Sequence, residues 1–259
     1  LREGDSITIT FGDRSGGSPG MRLQTFCEET YEFHTLIDPI ATFCYQPVPS
    51  QPVIKIVPGK PERFLAVAPT IRDVGEAFEV KFKAEDKWGN PSDQCDCQLT
   101  VRASHPIDDL PDSVTLKPGQ FAGVITGLRV HEAVDLVIEF FDEAGVLQCA
   151  TNPIRIEPAP VSRHFWGDLH GQSEETIGTG TAEAYFKFAR DSAFVDITGH
   201  QGNDFQITTE FWKHLDDLCA AFNEDGHFIA IPGYEWSGNT GLGGAVSYTH
   251  LTLPTMFEV

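Results

Sequence analysis

The sequence predicts a multidomain fold, a β-rich sandwich followed by a parallel α/β segment. Three observations carry this. Residues 53–158 break into short apolar runs of strand length with turn residues between them. From residue 161 the period changes, and the chain reads strand–helix–strand–helix–strand. His170, His200 and Glu235 each stand where one of these later apolar runs ends.

Residues 1–52 form a partial β-rich segment. Ile7–Phe11 alternates apolar and polar residues and predicts a strand, and the glycines, serines and proline of 12–20 make a long turn. That turn lacks a following Gly-Lys-Ser/Thr, so it is not a phosphate cradle.

Within 53–158 the expected strands are 53–57, 64–68, 78–84, 97–102, 113–116, 124–130, 134–141 and 154–156. Phe78-Glu-Val-Lys-Phe-Lys alternates as a half-buried strand does. Strands of this number and spacing predict an antiparallel sandwich of immunoglobulin-like type, whose role is that of a structural module.

Pro158-Ala-Pro160 is a stiff linker. Beyond it, Thr181 caps an expected helix through Ala193, and Thr208 or Thr209 opens a second through Phe222 that stops near Gly226. Apolar residues three and four apart place these helices on a sheet, with Phe211, Trp212 and Phe222 in the core. The strand-like runs are 164–170, 194–200 and 228–235.

Composition narrows the function. Against 18 basic residues stand 38 acidic ones, a formal charge of −20, which argues against nucleic acid as a partner. The cysteines at 27, 44, 95, 97, 149 and 219 are too scattered for a disulfide scaffold, and Cys95-Asp-Cys97 lacks a second pair at zinc spacing. No run of 18 apolar residues exists to span a membrane as a helix. The chain begins at Leu1 rather than Met, so the sequence assigns no compartment, and nothing in it sets an oligomeric state.

The site argument is one of spacing. His170 and His200 are 30 residues apart, and His200 and Glu235 are 35 apart, one strand–helix unit each. In a parallel α/β barrel such positions share the face that holds the active site. Two imidazoles and a carboxylate there are good ligands for a divalent metal. Asp168 is suited to orient an imidazole. Asp204 and Glu174 are rim carboxylates, and His164, His214 and His227 are structural.

The residues also carry a resemblance. Gly-Asp-Leu-His-Gly-Gln (167–172), Asp-Ile-Thr-Gly-His-Gln (196–201) and Pro-Gly-Tyr-Glu-Trp (232–236) resemble the first three motifs of the polymerase and histidinol phosphatase (PHP) superfamily. In combination they look more narrowly like the DUF3604 family, which carries a β-rich region before its PHP-like domain. The resemblance implies a distorted TIM-like β/α barrel, divalent metal ions (zinc, manganese or iron) and, in many members, phosphoester hydrolysis. It implies metal-ligand roles for His170, His200 and Glu235. Two positions depart from the motifs: Gln172 stands where a second His is expected, and Gly199 where an Asp is expected.

The barrel segment is expected over 161–244 and truncated, since a complete barrel needs roughly 200–250 residues. Residues 245–259 look like a non-native tail, so His250 is not counted as a ligand. The expected function is that of a fragment of a metal-dependent hydrolase, inactive alone, acting when intact on a small-molecule substrate such as a phosphoester. The alternatives are hydrolysis of an amide or other C–N bond, or a carbohydrate- or surface-binding protein with a vestigial barrel. No general acid is named.

Overall fold

The computed structural model describes residues 4–38, 40–239 and 245–251, of which 237–239 and 245–251 are described by backbone alone. The chain divides into two compact units, Leu1–Pro58 and Gly59–Val259.

In the first unit, β1 (Glu28–Glu32) pairs antiparallel with β4 (Val53–Ile56), and β2 (Leu36–Ile37) pairs antiparallel with β3 (Gln46–Pro47). The strand expected over Ile7–Phe11 is not formed. Its alternation suits a strand, but no neighbour pairs with it among the described residues, and Ile7 and Ile9 stay about two-thirds exposed at 67% and 66%. The run at 53–57, expected in the sandwich, instead pairs with β1. Alternation alone does not name a strand's partner.

The second unit opens with ten strands. These are β5 (Arg63–Val67), β6 (Ile71–Arg72), β7 (Phe78–Glu85), β8 (Cys97–Ala103), β9 (Ser113–Leu116), β10 (Ala122–Leu128), β11 (Val134–Leu136), β12 (Ile138–Phe141), β13 (Leu147–Ala150) and β14 (Ile154–Ile156). They form sheets ordered β10-β7-β5, β13-β12-β8-β9 and β11-β14-β6. All three sheets contribute to one core, with Val80, Phe82, Leu99, Leu128, Leu136, Ile138, Phe140 and Ile154 buried. The run expected as one strand over 134–141 breaks at Val137, and its two halves enter different sheets. One pairing is parallel, β14 with β6, where an antiparallel sandwich was expected. These strands lie far apart in sequence, so no tight hairpin forces them antiparallel.

The rest of this unit is β15 (Gly167–Gly171), α1 (Ala182–Phe188), β16 (Ile197–Asn203), α2 (Thr209–Phe222), β17 (Ile229–Asn239) and β18 (Ala245–Leu251). β15, β16 and β17 are parallel neighbours, and β18 pairs antiparallel with β17. The backbone expected to be a tail therefore extends the sheet over 245–251, while the remainder of that tail lies outside the described residues. Among the described residues the fold is predominantly β, with two short α-helices.

Both helices start at the capping residues read from sequence. Thr181 Oγ1 accepts the Ala184 N–H at 3.1 Å, and Thr208 Oγ1 accepts the Phe211 N–H at 3.1 Å. Helix α1 is shorter than expected, because residues 189–193 widen into a π-helical turn that ends at Phe194 in the left-handed region (φ 61°). Ala182, Phe186, Leu215, Cys219, Phe228 and Ala230 form a second core between helices and sheet. Trp166 Nε1 donates to Thr70 Oγ1 at 3.0 Å and Arg163 pairs with Glu76 at 2.8 Å, tying this layer to the segments on either side of β6.

Candidate functional site

Strand register decides which side chains meet. Gly171, His200 and Pro232 stand level across β15, β16 and β17, and Asn203 stands level with Glu235. Successive side chains on a strand point to opposite faces. His200 therefore faces one side of the sheet, while Gln201, Asn203 and Glu235 face the other.

The helix side is apolar and closed. The His200 ring is fully buried and makes edge contacts with Tyr185 and Phe211, at centroid distances of 6.1 and 5.5 Å. Its Nε2 lies 2.7 Å from Ser173 Oγ, and its Nδ1 has no hydrogen-bond partner among the described residues. Burial pulls the imidazole pKa down to about 4, against the opposing pull of the Glu175 charge. His200 is thus neutral near pH 7. The Ser173–His200 pair has the spacing of a nucleophile and its base. Both residues are fully buried, so substrate has no access to it.

The opposite face gathers polar groups around Glu235. His170 Nε2 lies 3.9 Å from Glu235 Oε2. Gln172 Nε2 and Asn203 Nδ2 donate to that same oxygen at 3.4 and 3.5 Å, the long end of the hydrogen-bonding range. The Glu235 side chain is 14% exposed and that of His170 is 60% exposed, so the pair sits at the rim of a partly dry site. Gln172 Oε1, Asn203 Oδ1 and both amide atoms of Gln201 are buried with no hydrogen-bond partner among the described residues. The Gln201 amide lies over Gly233, where any Cβ would overlap it. Only glycine leaves room for that packing.

Of the residues expected in the site, the structure brings His170, Gln172 and Glu235 together and places His200 on the other face. His200 and Glu235 do not end their strands either. Both lie inside them, because β16 continues to Asn203 and β17 to Asn239. Asp168 is exposed, and its carboxylate accepts the backbone N–H of His170 at 3.0 Å, fixing the chain rather than the imidazole. Asp204 opens a one-turn 3-10 helix beyond β16. His250 falls in the segment described by backbone alone.

Sequence reasoning placed Ser173, Gln201 and Asn203 only in rim loops after the strands and gave them no role, whereas Gln201 and Asn203 lie within β16. Parity held a signal for these two, since odd steps from His200 select the opposite face, but using it required the register against Glu235. Among the described residues, no cluster of three or more His, Cys, Asp or Glu is arranged to hold a metal ion.

No protein-family model matches the chain. It is similar to an uncharacterized protein of Chlamydia pneumoniae, 23% identical over 261 residues, covering 96% of this chain and 41% of that protein. It is similar also to uncharacterized proteins of Chlamydia trachomatis serovar D and Chlamydia muridarum, 22% and 21% identical over 244 residues, covering 91% of this chain and 39% of each. The chain thus spans about two fifths of the length of the curated relatives it matches.

Proposed function

We propose that this chain carries part of the metal centre of a hydrolase that activates water, with phosphoesters as the leading substrate class. One observation carries the reading: His170, Gln172 and Asn203 converge on Glu235, on the sheet face away from the helices. Two donors held by one cation at about 2.0–2.2 Å stand up to roughly 4 Å apart, so the 3.9 Å between His170 Nε2 and Glu235 Oε2 fits such a cation. An imidazole with a carboxylate is a donor set for zinc, manganese or iron. Bound there, a divalent ion would polarise a phosphoryl oxygen and lower the pKa of a water molecule to about 7.

The chain's own groups do the positioning. Glu235 supplies negative charge, its side chain largely withdrawn from bulk water beside the exposed His170. Gln172 and Asn203 hold its carboxylate through their NH₂ ends, and rotation of either amide turns a carbonyl oxygen toward a cation instead. Asp168 holds the backbone of His170. His200, packed between sheet and helices, supports the strand that presents Asn203. In the same proposal the sandwich is immunoglobulin-like, and β15 through β17 with their helices begin a distorted PHP-like barrel. Further ligands would then come from residues other than those described.

Metal content by mass spectrometry after loading with zinc, manganese or iron tests the centre. Glu235→Gln and His170→Ala are expected to lose about tenfold or more in affinity, the scale at which even outer partners of a site act. Unchanged affinity in Glu235→Gln would reject it. Turnover of amides by the loaded protein without turnover of phosphomonoesters or phosphodiesters would replace the substrate class.

A further inference from the structure

The segment that leads into β8 brings two thiols together on the sandwich, far in sequence from the site described above. Residues 94 to 99 alternate outward and inward: Gln94, Asp96 and Gln98 are exposed, Cys95 and Leu99 are buried, and Cys97 is half-buried. On an extended chain, residues two apart share a face. Cys95 Sγ and Cys97 Sγ accordingly lie 3.1 Å apart.

Both sides of the pair are anchored. Upstream, the Ser92 N–H donates to the Ala84 carbonyl at 2.9 Å, and the Gly119 N–H donates to the Asp93 carbonyl at 2.7 Å. Downstream, β8 is held between β9 and β12, with Cys97 opposite Leu116. A disulfide needs a sulfur–sulfur distance of about 2.05 Å, so closure requires a movement of about 1 Å.

We propose that Cys95 and Cys97 form a reversible intramolecular disulfide, a thiol–disulfide exchange site that accepts small-molecule disulfides. The more accessible Cys97 reacts first. Its thiolate attacks one sulfur of the incoming disulfide, forms a mixed disulfide and expels one thiolate, which takes up a proton. Cys95 then gives up its proton to solvent and attacks Cys97 Sγ, releasing the second small thiol. Two cysteine thiols are oxidised and one external disulfide is reduced to two thiols. Burial, with the neighbouring Cys97 and Asp96, pushes the Cys95 thiol up, so in the reduced pair Cys95 is not the first nucleophile; its own step is intramolecular, where proximity offsets a low thiolate fraction. A bond closed across so short a loop is strained, and strained disulfides are the readily reduced ones.

Trypsin reads the outcome directly, because the peptide Trp88–Arg102 holds Cys95 and Cys97 and no other cysteine. The folded chain is equilibrated with mixtures of reduced and oxidised glutathione, alkylated, digested and weighed. The expected product is this peptide lighter by two hydrogens and free of alkyl groups, returning to the dialkylated form under dithiothreitol. The same equilibrium in urea is expected to favour the disulfide about tenfold less, since the fold holds the sulfurs together. A dialkylated peptide from the oxidised folded protein, a peptide that retains glutathione, or equal constants with and without urea would each overturn the proposal.

Discussion

Lys83 Nζ donates to the Ser192 carbonyl at 2.6 Å across 109 residues of sequence, joining strand β7 to the turn before β16. The ammonium also pairs with Glu85 at 2.9 Å and lies 5.3 Å from the centre of the Phe194 ring. Both charged side chains are only 6% exposed. Glu85 takes a second partner, Arg63 Nε, at 2.6 Å.

Lys83→Met should therefore destabilise the chain by about 3 kcal/mol, because it leaves a buried carboxylate with one cation and a buried carbonyl with no donor. Urea unfolding measures the loss. Replacing Lys83 and Glu85 together, with Met and Leu, should restore much of it, and a double substitution as unstable as the single one would show that the Ser192 contact dominates.

Acid should weaken the fold through His200. Its folded pKa of about 4 lies below the ordinary histidine value of 6.5, so between those limits the unfolded chain binds a proton that the folded chain refuses. Stability from this group is highest above pH 6.5, falls as the pH drops toward 4, and levels off below that. The full span is about 3 kcal/mol. Urea midpoints across this window should fall less steeply in His200→Gln than in the parent, and parallel curves would dismiss the effect.

Gly171→Ala should damage the seam between sheet and helices. A Cβ at this position would overlap the Tyr185 ring, whose hydroxyl lies 2.7 Å from Thr198 Oγ1 and 3.2 Å from the Gly199 carbonyl. The expected cost is about 1–3 kcal/mol, the usual range for overpacking. Thermal unfolding of Gly171→Ala alone and with Tyr185→Ala would test the assignment, because the pair should cost less than the two changes summed.

Thr208→Ala should cost about 1 kcal/mol by leaving the Phe211 N–H without its cap, whereas Thr208→Asp should be close to neutral. Far-ultraviolet circular dichroism through a thermal ramp distinguishes them.

The helix starts were legible because capping is local: Thr181 and Thr208 act on amides three residues ahead. Most strands of 63–156 were legible for the same reason, as alternation is written in adjacent residues. Pairing was not legible. Nothing local in 53–57 says that it joins β1, nor in 71–72 that β14 lies beside it in parallel. The candidate site shows the same division. His170 and Glu235 were visible as candidate ligands, but their meeting depends on the register of β15, β16 and β17, which long-range packing sets.

That register gives β16 an unusual sensitivity. His200 and Gln201 are neighbours, one sealed against the aromatic rings of the helices and the other laid over Gly233 beside the Glu235 face. Moving the strand by one position would exchange them, setting an amide among aromatic rings and presenting an imidazole to the carboxylate. A one-residue insertion or deletion before Ile197 that shifted the strand by one would therefore change the group presented beside Glu235 without substituting any residue of β16. In this strand, phase decides as much as composition which groups meet on each face.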